Sequence, residues 1–289
     1  MRTLAPLVVK FGGELLEEPD RLGTVVASMA RVVERRQPLV IVHGGGKEID
    51  RALQGAGIEK RQVDGLRITD EATRDIVVAV LAGSVNTRLV AALTTAGVPA
   101  AGLTGADAGC GRARLVPPHR AVDGRLVNRG LVGARSERAD ERLLQVLMRD
   151  GFVPVMACLG LDDEGRILNV NADTLAGDIA ARLGAQRLVI AGTTPGVLDA
   201  SGVTVPQLDQ DDIDRLIGDR TATAGMIAKL RACAQALAGG VEDIVIADGR
   251  DGAALDRAAC GDVPRTATRL ARTRLAGDQA GRRTARLRQ

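Results

Sequence analysis

Lysine is rare in this chain, and two of its lysines stand beside glycine-containing motifs. Of the 39 lysines and arginines among 289 residues, only four are lysines, namely Lys10, Lys47, Lys60 and Lys229. A lysine ammonium is a compact point charge with three donors, whereas an arginine guanidinium is a wide planar fork. Lys10 precedes Phe11-Gly12-Gly13, and Lys229 follows Gly225-Met226-Ile227-Ala228. We therefore predict that both positions need a lysine and that both bind a phosphate group.

Two glycine clusters directly follow apolar runs that are predicted to be strands. Gly12-Gly13 comes after the run at 7–9, and Gly44-Gly45-Gly46 comes after the run at 38–42. Without Cβ atoms, such loops let backbone N–H groups approach an oxyanion, and a following helix adds its positive end. A tight strand-to-helix turn explains one such cluster, but two at equivalent strand ends predict a phosphate site. Neither cluster matches a Walker or a Rossmann loop.

A third polar segment, Asn169-Val170-Asn171-Ala172-Asp173, stands at a predicted strand-to-helix junction. A single Asn or Asp would be enough to cap the helix that follows. Three such side chains within five positions indicate a further role, such as holding the lysines or a metal ion.

The composition excludes several kinds of site. There are two Phe and no Tyr or Trp, so the core is aliphatic and no aromatic platform for single-stranded nucleic acid is available. The cysteines show no CxxC spacing and only His43 and His119 are histidines, which argues against a metal centre built by the protein. No apolar run reaches the length of a membrane span, and the N-terminus lacks the shape of a signal peptide. We predict a cytoplasmic protein with reduced cysteines and without a membrane or nucleic-acid partner.

The net charge of +3 is unevenly distributed along the chain. From Arg265 to Gln289 there are eight arginines and one aspartate, so the preceding residues are acidic overall. This tail lacks an apolar period, and from about Ala271 it is predicted to be disordered. RNA or acidic lipid could bind such a segment, but a solvated extension without a specific partner is the preferred interpretation.

Short apolar runs alternate with stretches of helical spacing along most of the chain. Strands are predicted at 7–9, 38–42, 98–103, 152–157, 188–191 and 244–246, and helices at 20–36, 47–54, 70–96, 137–149, 172–183, 211–217 and 225–237. Thr69 is the expected N-cap of the long helix, and Asp123-Gly124 indicates a hairpin. This alternation predicts an α/β fold of three layers, in which an open, mostly parallel central sheet has helices on both faces. Ligands bind at the carboxyl ends of the strands in such sheets, where both glycine clusters lie.

From about residue 6 to about residue 250, the chain resembles the amino acid kinase family. The resemblance lies in five motifs that occur in the family's order: Val9-Lys10-Phe11-Gly12-Gly13, Val42-His43-Gly44-Gly45-Gly46, Gly65-Leu66-Arg67-Ile68-Thr69, Asn169-Val170-Asn171-Ala172-Asp173 and Gly225-Met226-Ile227-Ala228-Lys229. Each motif alone is weak, but the combination is specific, and it is most similar to the kinases of N-acetyl-L-glutamate. The resemblance implies transfer of the γ-phosphate of ATP to the γ-carboxylate of that acid, a step of arginine biosynthesis.

The resemblance also implies roles for individual residues. Lys10 and Lys229 would flank the transferring phosphoryl group, and Asp173 would hold both lysines in place. The acceptor would be bound by Gly45, Gly46, Arg67 and Asn169. The phosphates and the nucleotide would lie against Gly12, Gly13, Gly45, Thr193, Gly196, Gly225 and Met226. Mg²⁺ would arrive with ATP, held chiefly by phosphates and water, so no metal-binding residues are expected.

Three positions depart from the family pattern, all in the part expected to bind the nucleotide. Thr193 stands where the family commonly has an aspartate, and Ala224 stands where glycine or aspartate is usual. The usual terminal Gly-Thr is replaced by Ala267-Thr268. These changes favour one alternative, a catalytically weak sensor of an amino acid or nucleotide, although a sensor would not need both lysines and Asp173. A second alternative is a sister kinase of lysine biosynthesis that acts on acetylated or carrier-bound aminoadipate.

The resemblance further implies a division into lobes. Residues 1–180 would bind the acyl acceptor and form a dimer, residues 181–270 would bind ATP, and residues 271–289 would form the basic tail. Arginine-inhibited members of the family carry an additional N-terminal helix that joins dimers into a hexamer. Because about six residues precede the first predicted strand, a homodimer insensitive to arginine is expected.

Overall fold

A computed structural model describes residues 4–121, 123–218 and 224–271. Its strands are β1 (Leu7–Phe11), β2 (Leu39–His43), β3 (Gln62–Val63), β4 (Leu66–Arg67), β5 (Ala100–Leu103), β6 (Ala113–Leu115), β7 (His119–Arg120), β8 (Leu126–Val127), β9 (Val132–Arg135), β10 (Val153–Ala157), β11 (Leu159–Leu161), β12 (Ile167–Val170), β13 (Arg187–Gly192), β14 (Gln207–Leu208), β15 (Ile244–Asp248) and β16 (Thr268–Leu270). Its α-helices are α1 (Pro19–Glu34), α2 (Gly46–Gly55), α3 (Glu71–Val78), α4 (Asn86–Thr95), α5 (Arg142–Arg149), α6 (Ala172–Arg182), α7 (Gln210–Gly218), α8 (Ala224–Ala238) and α9 (Gly252–Ala259).

An eight-stranded sheet forms the centre of the molecule, in the order β14-β16-β15-β13-β1-β2-β10-β5. The six strands from β15 to β5 are parallel, whereas β16 runs antiparallel to β15. Every residue of β1, β2 and β13 is buried, as strands of a parallel sheet are when helices cover both faces. The predicted α/β fold with a mostly parallel central sheet is confirmed.

The predicted strands and helices of this sheet are present, with boundaries shifted by a few residues. The exceptions have local causes. Helix α5 begins at Arg142 rather than near residue 137, because Arg182 binds the carbonyl groups of Ser136 and Ala139 in an irregular segment. The long helix is capped by Asp70, whose side chain accepts a hydrogen bond from the Thr73 amide at 2.9 Å, and not by Thr69.

Helices α3 and α4 are continuous through a π-helical segment at Ala79–Val85. The resulting helix, Glu71–Thr95, is long and apolar enough to cross a membrane by those two criteria alone, which the sequence analysis did not anticipate. Its second half packs against β5, β10 and α1. These contacts place that half of the helix on the central sheet.

A second, four-stranded sheet in the order β11-β12-β9-β6 was not predicted. Its strands are only three or four residues long, so they carry little periodicity. The hairpin expected at Asp123-Gly124 is confirmed as the antiparallel pair β7 and β8. The predicted tail from Ala271 onward lies outside the described residues, apart from Ala271 itself.

Candidate active site

The two glycine clusters lie against each other at the carboxyl ends of β1 and β2. The Gly44 amide donates to the Phe11 carbonyl at 3.1 Å. A Cβ atom on Gly13 would lie only 2.7 Å from the Cα atom of Gly45, so a side chain at position 13 would push the two loops apart. A Cβ atom on Gly45 would instead lie 2.9 Å from the side chain of Leu81. Helix α2 begins at Gly46, and first-turn amides of a helix have no helical acceptor. The paired loops therefore form a cradle of backbone donors for an anion.

His43, at the end of β2, supports this cradle from inside the protein. The Asn86 side-chain amide donates to His43 Nε2 at 3.0 Å and to the Val155 carbonyl at 2.9 Å. Since Nε2 accepts, the ring proton lies on Nδ1, which faces the Gly44 carbonyl at 3.2 Å. Burial lowers the pKa of His43 to about 4, so the ring is neutral at physiological pH. Sequence reasoning quoted His43 only as part of a motif and missed Asn86.

Lys10 points from the buried strand β1 toward helix α6. Its Nζ atom forms an ion pair with Asp173 Oδ1 at 2.8 Å, and both side chains are nearly enclosed. Burial is the largest influence and alone would lower the pKa of Lys10, but the charge and hydrogen bond of Asp173, together with the charge of Glu14, outweigh burial and the pKa is raised. Burial would likewise raise the pKa of Asp173, but Lys10 and Lys229 together hold it below its usual value. The pair is therefore fully ionised.

Lys229, on α8, lies at the same place although it is far away in sequence. Its Nζ atom is 3.2 Å from the position that a Cβ atom of Gly192 would occupy, at the end of β13. Burial lowers the pKa of Lys229, and the positive charge of Lys10 lowers it further. The structure thus brings Lys10, Asp173 and Lys229 together: Asp173 forms an ion pair with Lys10, and the charge of Lys229 acts on the same carboxylate.

Glu14 is a fourth charged group here, and sequence reasoning missed it. Its Oε1 atom would lie 3.6 Å from the same Cβ position on Gly192, and its carboxylate lies over Gly12. The Glu14 charge contributes to raising the pKa of Lys10. The only available signal was its position directly after the glycine pair.

The predicted acceptor residues gather on the side of Gly46. Arg67 forms an ion pair with Asp50 and donates to the Gly46 carbonyl at 3.4 Å. Lys60 holds the same aspartate at 2.6 Å. The buried Nη1 atom of Arg67 has no hydrogen-bond partner among the described residues, so one donor of the guanidinium is available for a ligand.

The three polar side chains of the 169–173 segment have separate tasks. Asn169 donates to the Thr69 hydroxyl at 3.2 Å, which joins the small sheet to the start of the long helix. Asn171 caps α6 by accepting from the Thr174 amide at 3.0 Å, and Asp173 binds Lys10. The single-cap explanation therefore holds for Asn171 alone.

The predicted nucleotide residues lie around the ends of β13 and α8. Gly196 has a φ of 71°, and a Cβ atom there would lie 2.4 Å from Thr268 Oγ1. That hydroxyl accepts from the Val197 amide at 2.8 Å. Thr193 follows β13, whereas Gly225 and Met226 stand in the first turn of α8. An acidic side chain at this edge of the sheet is that of Asp248. Asp248 ends β15 and is the register partner of Gly192 on the neighbouring strand β13.

The sequence profile of the amino acid kinase family matches residues 5–248. The chain belongs to this family. It is 39% identical over 252 residues to an acetylglutamate kinase of Novosphingobium aromaticivorans, covering 84% of this chain and 83% of that protein. It is 40% identical over 249 residues to an acetylglutamate kinase of Bradyrhizobium diazoefficiens, covering 84% of both chains.

Solved structures of amino acid kinase folds agree with this placement. An N-acetylglutamate synthase of Neisseria gonorrhoeae, complexed with coenzyme A and N-acetyl-glutamate, superimposes with a TM-score of 0.78 at 24% identity. That match covers 94% of this chain, which spans 60% of the length of the synthase. A carbamate kinase of Giardia lamblia bound to AMP-PNP gives a TM-score of 0.65 at 14% identity, with 94% and 100% of the two chains covered. At these identities the likeness shows the fold alone.

Proposed function

We propose that this amino acid kinase transfers the γ-phosphoryl group of ATP to the γ-carboxylate of N-acetyl-L-glutamate, giving an acyl phosphate. The observation that carries the proposal is the meeting of Lys10, Asp173 and Lys229 beside two glycine loops. The identity of about 39% to acetylglutamate kinases over most of the chain supports the choice of acceptor.

The charges of the site suit the chemistry. A carboxylate is already ionised at neutral pH, so the acceptor needs no general base. The obstacle is the approach of one anion to another, and positioning with charge neutralisation removes it. One acceptor oxygen bonds to the γ-phosphorus as the bond to the β–γ bridging oxygen breaks, and ADP leaves with that electron pair. Lys10 and Lys229 neutralise the charge on the transferring group, while Asp173 fixes the Lys10 ammonium.

The remaining site residues orient the two substrates. Arg67 presents its unpartnered Nη1 donor to the α-carboxylate of the acceptor, a pairing that suits a guanidinium. Asn169 and the amides of Gly45 and Gly46 bind the rest of the acceptor. Gly12 and Gly13 contact the phosphates, and Thr193, Gly196, Gly225 and Met226 line the nucleotide side.

A magnesium ion fits this site only as a partner of the nucleotide. Among the described residues there is no cluster of three or more His, Cys, Asp or Glu side chains able to hold a metal. Glu14, the carboxylate over the glycine loop, would be available to help hold it. When bound, the ion would neutralise phosphate charge, with phosphates and water as its main ligands.

A hydroxamate assay for acyl phosphate, with ATP and N-acetyl-L-glutamate, tests the proposal. N-acetyl-L-aminoadipate is assayed in parallel, because one additional methylene separates the two acceptors. Turnover of the glutamate derivative supports the proposed reaction, and clear preference for aminoadipate would move the protein to the sister reaction. Tight binding of both substrates without turnover would instead indicate a sensor.

We further propose a homodimer in the cytoplasm. The exposed side of the helix Glu71–Thr95 is formed largely by small residues, among them Ala72, Ala79, Gly83 and Ala91, which allow close packing of a second helix. Light scattering during gel filtration would give twice the monomer mass of 30.1 kDa, and a monomer peak at micromolar concentration would contradict the dimer.

A further inference from the structure

A cavity of about 380 Å³ adjoins the candidate active site and is lined by basic residues. Arg120, Arg129 and Arg231 line it, and no aspartate or glutamate does. Its other walls include the apolar side chains of Leu66 and Val132. A cavity with apolar walls and several cations suits a ligand that combines methylene groups with a negative charge.

Arg129 is the cation of this cavity that most needs an anion. Its Nε atom is buried and has no hydrogen-bond partner, and its side chain has no ion-pair partner within residues 4–121, 123–218 and 224–271. Burial lowers the pKa of Arg129, with no neighbouring carboxylate to oppose the effect. A partly buried charge without a counter-charge is costly, so a bound anion would stabilise it.

The backbone places Arg129 beside the acceptor residues. The Thr69 amide donates to the Arg129 carbonyl at 2.9 Å, and the Asn169 amide donates to the Leu131 carbonyl at 2.9 Å. Arg129 thus lies on a segment between those that carry Arg67 and Asn169. The cavity walls also include Leu66, Asn171 and Ala228, which are one or two residues away from Arg67, Asp173 and Lys229.

A second cavity, also lined by an arginine, provides a comparison, because that arginine has a structural role. That cavity, of about 330 Å³, is lined by Arg187 near the amino end of β13. Arg187 is already bound by Asp243 and by the carbonyl groups of Ala258, Gly261 and Asp262. Arg187 needs no ligand, whereas Arg129 has no comparable partner in the part of the chain that the structure describes.

We propose that the cavity around Arg129 binds a carboxylate on the amine-blocking group of the acceptor. The inference rests on the proposed acceptor site. With the γ-carboxylate facing the lysines and the α-carboxylate at Arg67, the N-acyl arm extends into this cavity. An acyl group that ends in its own carboxylate places that charge at the Arg129 guanidinium, and its methylene groups contact the apolar wall. Besides N-acetyl-L-glutamate, the site would therefore bind N-acylglutamates whose acyl group carries a third carboxylate, and would favour them over uncharged acyl groups of the same length.

Three probes of graded structure test the proposal by isothermal titration calorimetry, which needs no turnover. N-acetyl-, N-butyryl- and N-succinyl-L-glutamate share the glutamate part, and butyryl differs from succinyl only by a methyl group in place of the terminal carboxylate. We expect N-succinyl-L-glutamate to bind about tenfold or more tightly than the butyryl compound, as a charge-assisted hydrogen bond predicts. Equal affinities for these two ligands in the unaltered protein would overturn the proposal.

Variants at Arg129 and at the nearby Arg125 test whether the preference for N-succinyl- over N-butyryl-L-glutamate depends on Arg129. Arg129→Leu should remove the preference for succinyl over butyryl and leave the affinity for N-acetyl-L-glutamate within about threefold, whereas Arg129→Lys should retain part of it. Arg125→Leu is the matched control, because Arg125 is exposed and pairs with Asp123 outside the cavity. A preference that persists in Arg129→Leu would also overturn the proposal. Failure of the unaltered protein to phosphorylate any of the three acids would refute the proposed function instead, because the calorimetric comparison stands without turnover.

Discussion

Two carboxylates, one buried and one half-buried, each lie near two cations at opposite ends of the central sheet. At the amino ends of the strands, Asp243 binds Arg187 at 2.7 Å and Arg269 at 2.8 Å. At the carboxyl ends, Asp173 binds Lys10 at 2.8 Å, and the charge of Lys229 helps to lower the pKa of Asp173. The two clusters have the same charges but different cations.

The difference between arginine and lysine indicates a different role for each cluster. The Arg187 guanidinium donates to Asp243 and to three backbone carbonyls, at 2.7–3.2 Å, so its hydrogen-bonding capacity is used up in joining β13 to the end of α9 and the residues that follow it. Lys10 is held by one carboxylate, whose charge also acts on Lys229, and both lysines retain ammonium donors for another ligand. In this chain with few lysines, arginine occupies the position where the cation has a fixed structural role. Lysine occupies the positions where an anionic ligand must bind and dissociate.

The largest effect is expected when the cation is changed at the carboxyl end. Lys10→Arg keeps the charge but replaces a compact donor with a wide fork in a buried strand. We expect kcat to fall by about 100-fold or more, as for the loss of a preorganised charge contact. Steady-state hydroxamate kinetics measure this. Lys47→Arg is the matched control, since Lys47 is exposed, and turnover of Lys10→Arg equal to that of this control would contradict the point-charge argument.

The reciprocal change at the amino end should affect stability and not catalysis. Arg187→Lys leaves several of the bound carbonyl groups without a donor, because one ammonium cannot reach all of them. We expect a loss of about 2–3 kcal/mol in the free energy of unfolding, the usual cost of unsatisfied buried groups, with kcat unchanged within twofold. Urea unfolding and kinetics on the same preparation decide this. A large drop in kcat at full stability would reverse the assignment of the two clusters.

The sequence allowed the carboxyl-end cluster to be predicted but not the amino-end cluster. Lys10, Asp173 and Lys229 stand in motifs whose glycines and spacing indicate a function. Arg187, Asp243 and Arg269 stand in ordinary surroundings, and an arginine in an arginine-rich chain gives no signal. The same limit explains why Arg129 was missed, because its importance comes from burial without a partner, which only the folded structure reveals.

The strand and helix pattern was predictable where elements were long and fully buried. Strands β1, β2 and β13 each contain an unbroken apolar run, and the order of these runs along the chain was sufficient to infer a parallel sheet. The four-stranded sheet beside the acceptor residues was not predictable, because its strands are short and partly exposed. Helix α9 was missed for a related reason. It covers only eight residues after an Asp251 cap.

The two ends of the sheet should also differ in their response to acid, because arginines do not titrate but His43 does. Its pKa of about 4 lies below the ordinary value of 6.5. Below pH 6.5 the unfolded chain binds a proton that the folded protein excludes, so stability falls as the pH drops toward 4. By pH 5 the loss is about 2 kcal/mol.

Urea unfolding at pH 7 and at pH 5 measures this loss of stability. In His43→Gln the loss between the two pH values should be smaller by about 2 kcal/mol. An equal loss in both proteins would contradict the role of His43. Should the variant not fold, NMR titration of the unaltered protein remains decisive. The chain has only two histidines, and a His43 resonance that titrates near the ordinary value of 6.5 would refute the buried neutral ring.

The smallest expected difference between the two clusters appears only above neutral pH, as a fall in the reaction rate at alkaline pH (an alkaline limb). Burial and Lys10 lower the pKa of Lys229 below 10.5, so its positive charge is lost at a lower pH than that of an ordinary lysine. Because that charge binds phosphate, kcat/KM, which reports the free enzyme, should decline as the pH rises through this pKa. A bound triphosphate favours the ammonium, so the corresponding limb of kcat should lie at higher pH. Lys229→Arg should be slower throughout but should lose the limb, since a guanidinium stays charged. A limb that persists in Lys229→Arg would assign the titration to another group and would leave Lys229 no different from the arginines at the amino end.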